Sequence, residues 1–400
     1  MAINSGTGLA ELPPIGAINA PIVSAPAMTG RRLKIAFVVH DYNRTLGHSR
    51  YVAELATRFK RDHEVHVFTN TVDEPDPEDL IFHHVPAWRL NALVGCLTFI
   101  VPATLAVGRD FDIVHAQGLC GFRHNVATAH MCQPAWYTAL ERLKGRLTWR
   151  QRVHHWLLTP LERLALSRFV TKRVIAISER IRTDLAAYFG RRDGVRLVYH
   201  GVDLATFHPR NRGLHRDAIC AGLNLSPTAC IALFVGYLPK GAAVAIRAVA
   251  RTPGVHLLLV SNADTSADRA VAQAEGVADR VTFVPYTRSI ERYFAAADIF
   301  VFPTFWDTFG MVISEAMASG LPVITSRSAG AAELITHGHD GWLTDDPWDV
   351  DAVAAGLKEL VLNAERRQVM GLHARATISA YSWDVAARKT MEVYREIIGK

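Results

Sequence analysis

The residues best suited to chemistry lie in the segment from Phe300 to Thr325. The segment predicts a strand, then a polar turn with Asp307 and Gly310, then a helix that carries Glu315. A helix N-terminus offers unpaired backbone N–H groups and a partial positive charge, which suit a phosphate or a sugar hydroxyl. Gly310 lets such a ligand come close to the backbone, because it has no side chain. The turn is therefore a candidate ligand site.

Glu315 is the more informative of the two acids. It lies about one and a half turns into the predicted helix, among apolar residues. A carboxylate in such a position is costly unless it accepts hydrogen bonds, and a ribose diol would donate two. The alternative is an acid near a helix start that only interacts favourably with the helix dipole, which suits Asp307 well and Glu315 poorly.

Alternating strands and helices must position these residues. Leu33–His40 is a continuous apolar run, typical of a parallel strand buried on both faces, and Ser49–Lys60 is an amphipathic helix. The alternation ends near residue 205 and restarts at Ile231–Val235. The other predicted strands are Glu64–Thr69, Phe111–His115, Asn125–Ala129, Arg173–Ile177 and Val195–Tyr199 in the first half, and Val255–Val260, Val281–Val284, Ile299–Phe302 and Pro322–Thr325 in the second. The sequence therefore predicts an α/β protein with two doubly wound domains, residues 31–205 and residues 206–380, whose ligand lies in the cleft between the carboxyl ends of the two sheets.

The first thirty residues differ from the rest of the chain. Residues 1–30 are rich in Ala, Gly and Pro and contain one charged residue, Glu11. They predict a disordered extension without a signal peptide, and Met28 is a candidate start.

Composition and charge exclude several classes of protein. Half of the residues are hydrophobic and a fifth are charged, which excludes a disordered or fibrous chain. The net charge is +6, and all of the excess lies in residues 1–208, with 25 Lys and Arg against 18 Asp and Glu. This basic half suits an anionic partner, namely a membrane surface, a phosphorylated substrate or a nucleic acid, or else it is a solvated surface without a partner.

The remaining sequence signals are mostly negative. Five cysteines without a Cys-x-x-Cys pair predict neither a disulfide framework nor a cysteine-based zinc site, and they favour the reducing cytosol. Neither Gly-x-Gly-x-x-Gly nor Gly-x4-Gly-Lys-Ser/Thr occurs, so a dehydrogenase of the common type and a P-loop enzyme are not expected. The uncharged stretch Leu90–Gly108 contains Pro102 and polar residues, which predicts a buried helix rather than a membrane span.

A second basic feature is confined to residues 141–173. This segment has nine Lys and Arg against two Glu, together with Trp149 and Trp156. Such a stretch is typical of an amphipathic helix on a membrane surface, although an ordinary surface helix of a basic protein would also fit. Nucleic acid is not an expected partner, since the basic residues come without a known binding module.

An ordered set of motifs resembles family 4 of the retaining glycosyltransferases with the GT-B fold, a family that includes lipopolysaccharide-core glucosyltransferases and phosphatidylinositol mannosyltransferases. The family hallmark, Glu-x7-Glu followed by a helix, here reads Asp307-x7-Glu315 and continues as Ala-Met-Ala-Ser-Gly-Leu-Pro-Val-Ile324. The other matching stretches, within residues 33–396, are Val174–Ser178, His200–Asp203, Phe207–Pro209, Ala297–Pro303 and Tyr381–Trp383.

The resemblance implies a role for individual residues on the donor side. Glu315 would hold the ribose hydroxyls, and Asp307 would contact the transferred sugar. Lys240 would neutralise the leaving diphosphate, with Gly236 in the same turn and Gly47 offering its backbone N–H. The backbone of Phe309, Gly310 and Met311 would face the sugar and the diphosphate. His130 would lie near the reacting carbon, unless it merely ends a strand.

The resemblance also implies a fold and an activity. Residues 31–205 would bind the acceptor, residues 206–380 the nucleotide sugar, and residues 381–400 would form a helix that crosses back to the first domain. The expected enzyme is a retaining hexosyltransferase without metal or cofactor. It would use a UDP-sugar, or next a GDP-sugar, and a glycan or glycolipid hydroxyl, in the cytoplasm, either free or peripheral on the inner face of the cell membrane. A sugar-nucleotide epimerase and a non-catalytic sugar-nucleotide-binding protein remain alternatives.

Three departures from the family pattern stand out. Asp307 replaces the first Glu of the motif and is one methylene shorter. Tyr237 and Pro239 stand where the family has an arginine near Lys240, for which Arg50 or Arg288 is a candidate substitute. The loop at 261–264 reads Ser-Asn-Ala-Asp instead of Gly-x-Gly.

Overall fold

The computed structural model describes residues 31–44, 47–73 and 80–399. The expected extension at residues 1–30 therefore lies outside the described residues. Within them, two separate parallel sheets follow each other along the chain, one built from residues 34–197 and the other from residues 230–344.

The first sheet has seven parallel strands in the order β5-β3-β1-β6-β7-β8-β9. The strands of the first half are β1 (Lys34–Val38), β2 (Asp41–Tyr42), β3 (Glu64–Thr69), β4 (Thr71–Val72), β5 (Leu80–His84), β6 (Ile113–Gln117), β7 (Val126–Ala129), β8 (Arg173–Ala176) and β9 (Val195–Leu197), of which β2 and β4 pair separately. The apolar runs of β1, β6 and β7 become buried strands at the centre. Strand β5 was not predicted. It lies at an edge of the sheet, and its apolar residues Leu80–Phe82 are too few to stand out as a strand before two histidines follow.

The second sheet has six parallel strands in the order β12-β11-β10-β13-β14-β15. Its strands are β10 (Cys230–Val235), β11 (Val255–Ser261), β12 (Val281–Pro285), β13 (Ile299–Phe302), β14 (Val323–Ser326) and β15 (Trp342–Thr344). The order reverses direction at β10, which is where a doubly wound sheet opens its ligand crevice.

Helices cover both sheets and connect their strands. In the first half they are α1 (Gly47–Phe59), α2 (Ala92–Ala106), α3 (Gln133–Lys144), α4 (Trp149–Ala165) and α5 (Glu179–Phe189). In the second half they are α6 (Arg212–Gly222), α7 (Ala242–Ala250), α8 (Ser266–Ala274), α9 (Glu291–Ala296), α10 (Met311–Ala318), α11 (Val350–Leu362), α12 (Ala364–Ile378) and α13 (Trp383–Ile398).

The last helix ties the end of the chain to the first half. In α13, the Tyr394 hydroxyl lies 2.7 Å from Nδ1 of His115 in β6, and Asp384 accepts a hydrogen bond from Arg58 of α1 at 2.6 Å. Where the chain leaves the first half, Val202 N–H donates to the carbonyl oxygen of Tyr381 at 3.0 Å. The described residues from Arg32 onward consequently form one compact unit that contains both sheets.

Helix α2 corrects one expectation. The stretch Leu90–Gly108 does form a helix, but the helix is not buried: only Phe99, Ile100 and Ala103 are, whereas Val101 and Leu105 are 61% and 71% exposed. A helix packed on one side of a sheet buries one face only, so its uncharged outer face remains at the surface. No helix in the described part of the chain is long and apolar enough to cross a membrane.

Candidate active site

A cleft of about 760 Å³ opens at the carboxyl ends of both sheets. Its walls come from residues that directly follow strands, such as His130 after β7 and Gly236 after β10. All nine residues that the sequence singled out line this one cleft: Gly47, His130, Gly236, Lys240, Asp307, Phe309, Gly310, Met311 and Glu315. Residues separated by up to 268 positions thus meet in one place, because they stand just beyond a strand end or at a helix start, or, for Glu315, one turn into α10.

Lys240 and Asp307 form the first ion pair of the cleft. Lysine Nζ lies 2.6 Å from Asp307 Oδ2, and both side chains are largely buried. The turn that carries Lys240 depends on Gly241, whose φ is 142° and where a Cβ atom would lie 2.4 Å from the carbonyl oxygen of Pro303. Any larger residue would push the lysine turn away from the loop after β13.

The start of α10 is shaped to receive a ligand. Gly310 precedes the helix with a φ of 88°, in the left-handed region that favours glycine. Having no side chain, it leaves the first N–H groups of α10 uncapped. A Cβ atom at Gly47, which opens α1, would lie only 3.9 Å from Sδ of Met311. Two helix starts therefore face each other across the cleft, and both favour an anion.

Glu315 and Arg50 form a second ion pair, which crosses the cleft. Nη1 of Arg50 in α1 lies 2.6 Å from Oε1 of Glu315 in α10. Burial raises the pKa of Glu315, and the guanidinium opposes this rise only partly. Burial also disfavours the charge of Arg50, but Glu315 outweighs it and holds the pKa of Arg50 above its ordinary value. Of the two arginines considered as substitutes, Arg50 lines the cleft and Arg288 does not.

His130 contributes a neutral ring to the floor of the cleft. Its Nε2 lies 2.8 Å from Oε1 of Gln117, whereas its buried Nδ1 has no hydrogen-bond partner within the described part of the chain. Burial lowers the pKa of His130 well below the ordinary value, and the neighbouring His200 and His48 lower it further. The ring is therefore uncharged at neutral pH, and because Nε2 donates to the Gln117 oxygen, Nδ1 is left as a hydrogen-bond acceptor.

Comparison with known proteins identifies the family of this chain. Residues 229–363 match the family model described as Glycosyl transferases group 1, and residues 46–206 match Glycosyltransferase Family 4. Over 299 residues the chain is 31% identical to alpha-maltose-1-phosphate synthase of Mycolicibacterium smegmatis, covering 70% of this chain and 74% of that protein. The chain belongs to the group 1, family 4 glycosyltransferases.

Solved structures agree with the fold of this glycosyltransferase. The crystal structure of WaaG, a glycosyltransferase of lipopolysaccharide biosynthesis, superposes with a TM-score of 0.76 at 20% identity over 92% of this chain and all of WaaG. HepE of Anabaena in complex with UDP and glucose gives a TM-score of 0.71 at 18% identity over 91% of this chain and all of HepE. These structures confirm the predicted GT-B architecture, and the family models together with the 31% identical relative confirm that the enzyme is a glycosyltransferase.

Sequence reasoning missed two histidines of this glycosyltransferase's cleft. His48 follows Gly47, and His200 stands in the stretch that resembles the family's Asn-Gly-Val-Asp. Burial lowers the pKa of His200 to about 3, and neither of its ring nitrogens has a hydrogen-bond partner among the residues described. The His200 ring centroid lies 5.4 Å from that of His130. The replacement of Asn by His at position 200 was the one signal in the sequence.

Proposed function

We propose that this glycosyltransferase is a retaining, metal-independent hexosyltransferase that uses a UDP-sugar, or next a GDP-sugar, and a hydroxyl acceptor on a glycan or glycolipid. The observation that carries the proposal is the pairing of two cations with two carboxylates, Lys240 with Asp307 and Arg50 with Glu315, directly beside two facing helix starts. Hydroxyl donors and a diphosphate are the ligand groups that such a site can satisfy together.

The donor would bind along the α10 side of the cleft. The buried Glu315 would accept hydrogen bonds from the ribose hydroxyls, and Asp307 from hydroxyls of the transferred sugar. The backbone of Phe309, Gly310 and Met311 would face the sugar and the diphosphate. A cleft of about 760 Å³ is large enough for a nucleotide sugar. The complex of HepE with UDP and glucose supports uridine as the preferred nucleobase.

Departure of the nucleotide is the step that needs positive charge. As the bond between the sugar C1 and the phosphate oxygen breaks, negative charge grows on the diphosphate, and Lys240 would move from Asp307 to stabilise it. The N–H groups at the starts of α1 and α10 would act on the same charge. Lys240 and these fixed N–H groups are together the support for a metal-independent reaction.

Retention of configuration is proposed from the family resemblance, and the carboxylates of the cleft bear on how it would be achieved. In the described lining of the cleft the carboxylates are those of Asp307 and Glu315, and a lysine or an arginine holds each of them. Neither is placed as a free nucleophile, so the acceptor oxygen would attack C1 on the face that the phosphate leaves. The departing phosphate oxygen would take the acceptor's proton. The neutral His130 would position the acceptor or the sugar by accepting a hydroxyl hydrogen bond at Nδ1, since its Nε2 donates to Oε1 of Gln117.

The acceptor would approach from the first half, where α4 presents an apolar stripe to the surface. Trp149, Val153, Trp156 and Leu164 are exposed and recur at helical spacing, with Trp149 and Trp156 exposed by 71% and 74%. The opposite face of α4 packs inward. Exposed tryptophans among the basic residues of segment 141–173 suit the interface of an anionic membrane, so a lipid-linked acceptor is proposed.

A transfer assay tests the proposal. The enzyme is incubated in chelator with UDP-glucose, UDP-galactose or GDP-mannose and a membrane glycolipid extract, and products are identified by NMR. We expect nucleotide release together with a glycoside that keeps the donor's anomeric configuration. An inverted product would contradict retention, and an isomerised nucleotide sugar without transfer would indicate an epimerase.

A substitution pair keeps the assay specific. Asp307→Asn should abolish transfer, because it loses both the sugar contact and the charge partner of Lys240. Asp345→Asn is the matched control, since Asp345 is 91% exposed in its pair with Arg327 and lies outside the cleft. Equal activity of the two variants would remove Asp307 from the site.

A further inference from the structure

The Arg50–Glu315 ion pair occupies the place where the ribose is proposed to bind. Arg50 lies in the first turn of α1 and Glu315 lies in α10, 265 residues further along the chain. The Arg50 side chain is 20% exposed and that of Glu315 only 6%. A largely buried ion pair therefore joins the two halves of the chain at the cleft.

The charge balance of the cleft shows what a diphosphate would require. In the described lining the charged side chains are Arg50, Lys240, Asp307 and Glu315, so the two positive charges are already matched by two carboxylates. A diphosphate adds at least two negative charges, and charges that remain unpaired in a buried site are costly. The site accommodates it if the cations turn to the phosphates while the carboxylates accept hydroxyl donors instead.

Arg50 is able to make this exchange. Its other acidic neighbours are engaged elsewhere: Asp203 accepts hydrogen bonds from the backbone N–H groups of Ala205 and Thr206 and from the Thr206 hydroxyl, and Glu54 pairs with Arg58 at 2.6 Å. Among the described residues, Glu315 is thus the carboxylate that lies within hydrogen-bond distance of Arg50. Breaking this contact leaves Arg50 charged, at the edge of the cleft and beside the start of its own helix.

The neighbourhood of Lys240 leaves a position for a second cation. The family resemblance implies an arginine near this lysine. In this chain Tyr237 and Pro239 occupy the candidate positions instead. Tyr237 lines the cleft, is 62% exposed and carries no positive charge. A cation for the distal phosphate must therefore come from elsewhere in the lining, and Arg50 is the remaining one among the described residues.

We propose that Arg50 is the second diphosphate-binding residue of this enzyme, supplied across the cleft by the first half, and that it exchanges Glu315 for the diphosphate when the donor binds. The inference rests on the proposed function, because it takes a nucleoside diphosphate as the ligand. It assigns two states to one side chain. In the free protein Arg50 holds the ribose-binding carboxylate, and in the complex it releases that carboxylate to the ribose.

The test compares UDP with UMP, which differ by one phosphate group. Affinities of both are measured by calorimetry in chelator at pH 8, for the wild type and for Arg50→Gln. Loss of a hydrogen bond between an arginine and the distal phosphate should lower the preference for UDP over UMP by about tenfold or more. Arg58→Gln is the matched control, since Arg58 lies on the same helix and pairs with Glu54 and Asp384 outside the cleft, and it should keep the wild-type preference.

The outcomes separate the inference from the function on which it rests. If Arg50→Gln weakens the binding of UDP and of UMP equally, or weakens the binding of neither, Arg50 is only the partner of Glu315 and the inference is wrong. If the wild type binds neither UDP nor GDP without metal, the proposed function itself fails. Should Arg50→Gln not fold, Glu315→Gln gives the second measurement: freeing Arg50 from its carboxylate should maintain or increase the preference for UDP over UMP, and a decrease would overturn the exchange.

Discussion

The role proposed for Glu315 makes a quantitative prediction about the ribose of the nucleotide. The perturbation is Glu315→Gln, which keeps the shape of the side chain and removes its charge. Glu315 is almost completely buried, so little water can replace a lost ribose contact. The corresponding change in the ligand is 2′-deoxy-UDP, which lacks one of the two hydroxyls.

The magnitude follows from the strength of a hydrogen bond to a charged acceptor. Such a bond contributes about 1.5–3 kcal/mol, so the wild type should bind UDP roughly 10- to 150-fold more tightly than 2′-deoxy-UDP. The neutral amide oxygen of a glutamine accepts a bond of about 0.5–1.5 kcal/mol, which reduces that preference to about 2- to 13-fold. The ratio of the two ligands is informative because both carry the same diphosphate, so any change in Arg50 cancels.

The assay is calorimetric titration of both nucleotides into both proteins in chelator, with thermal melting to show that each is folded. Glu359→Gln serves as control, because Glu359 lies in α11 in a surface pair with Arg366. A wild type that binds UDP and 2′-deoxy-UDP equally well would refute the reasoning, as would a Glu315→Gln protein that keeps the full wild-type preference.

Three further predictions concern catalysis, backbone and pH. Lys240→Gln should reduce the turnover number about 100- to 1,000-fold in steady-state nucleotide release, since it removes a preorganised charge from the leaving group, and an unchanged rate would exclude that role. Gly310→Ala should destabilise the protein by about 1–2 kcal/mol in urea unfolding, because alanine is strained at a φ of 88°. Burial raises the pKa of Glu162 to about 8, so folding keeps this carboxyl neutral and stability is lost as pH rises from the unfolded pKa near 4.5 through 8. Glu162→Gln should remove a slope of about 1.4 kcal/mol per pH unit from the free energy of unfolding, measured in urea between pH 5 and 8, and parallel pH dependences of the two proteins would contradict this assignment.

The sequence alone predicted the parts of the site that depend on local pattern. Asp307, Gly310 and Glu315 follow a buried strand and open a helix, so their approximate positions follow from the rule that ligands bind at strand ends. His130 and Lys240 came from the resemblance, and they reach the same cleft because β7 and β10 end at its rim.

What the sequence could not predict depends on contacts between distant segments. Nothing in the local pattern distinguishes Arg50 from Arg288, since the choice is made by the packing of α1 against α10 across 265 residues. The exposure of α2 was missed for a similar reason: an apolar segment shows that a face can be buried, and only the packed sheet shows that the other face is not. His200 is surrounded by rings from distant segments, since its ring centroid lies 5.0 Å from that of Phe309, 5.1 Å from that of Tyr51 and 6.1 Å from that of Trp383.

The central claim is that this cleft binds a nucleoside diphosphate without metal. The most direct measurement is a thermal-melt panel in chelator with UDP, GDP, ADP and NAD at one common concentration, since a ligand present at about 100 times its dissociation constant adds about 2.7 kcal/mol of stability. The account predicts that UDP, or failing that GDP, raises the melting temperature by several degrees and that NAD does not. A shift with NAD alone, or a shift with any nucleotide only after Mg²⁺ is added, would contradict it.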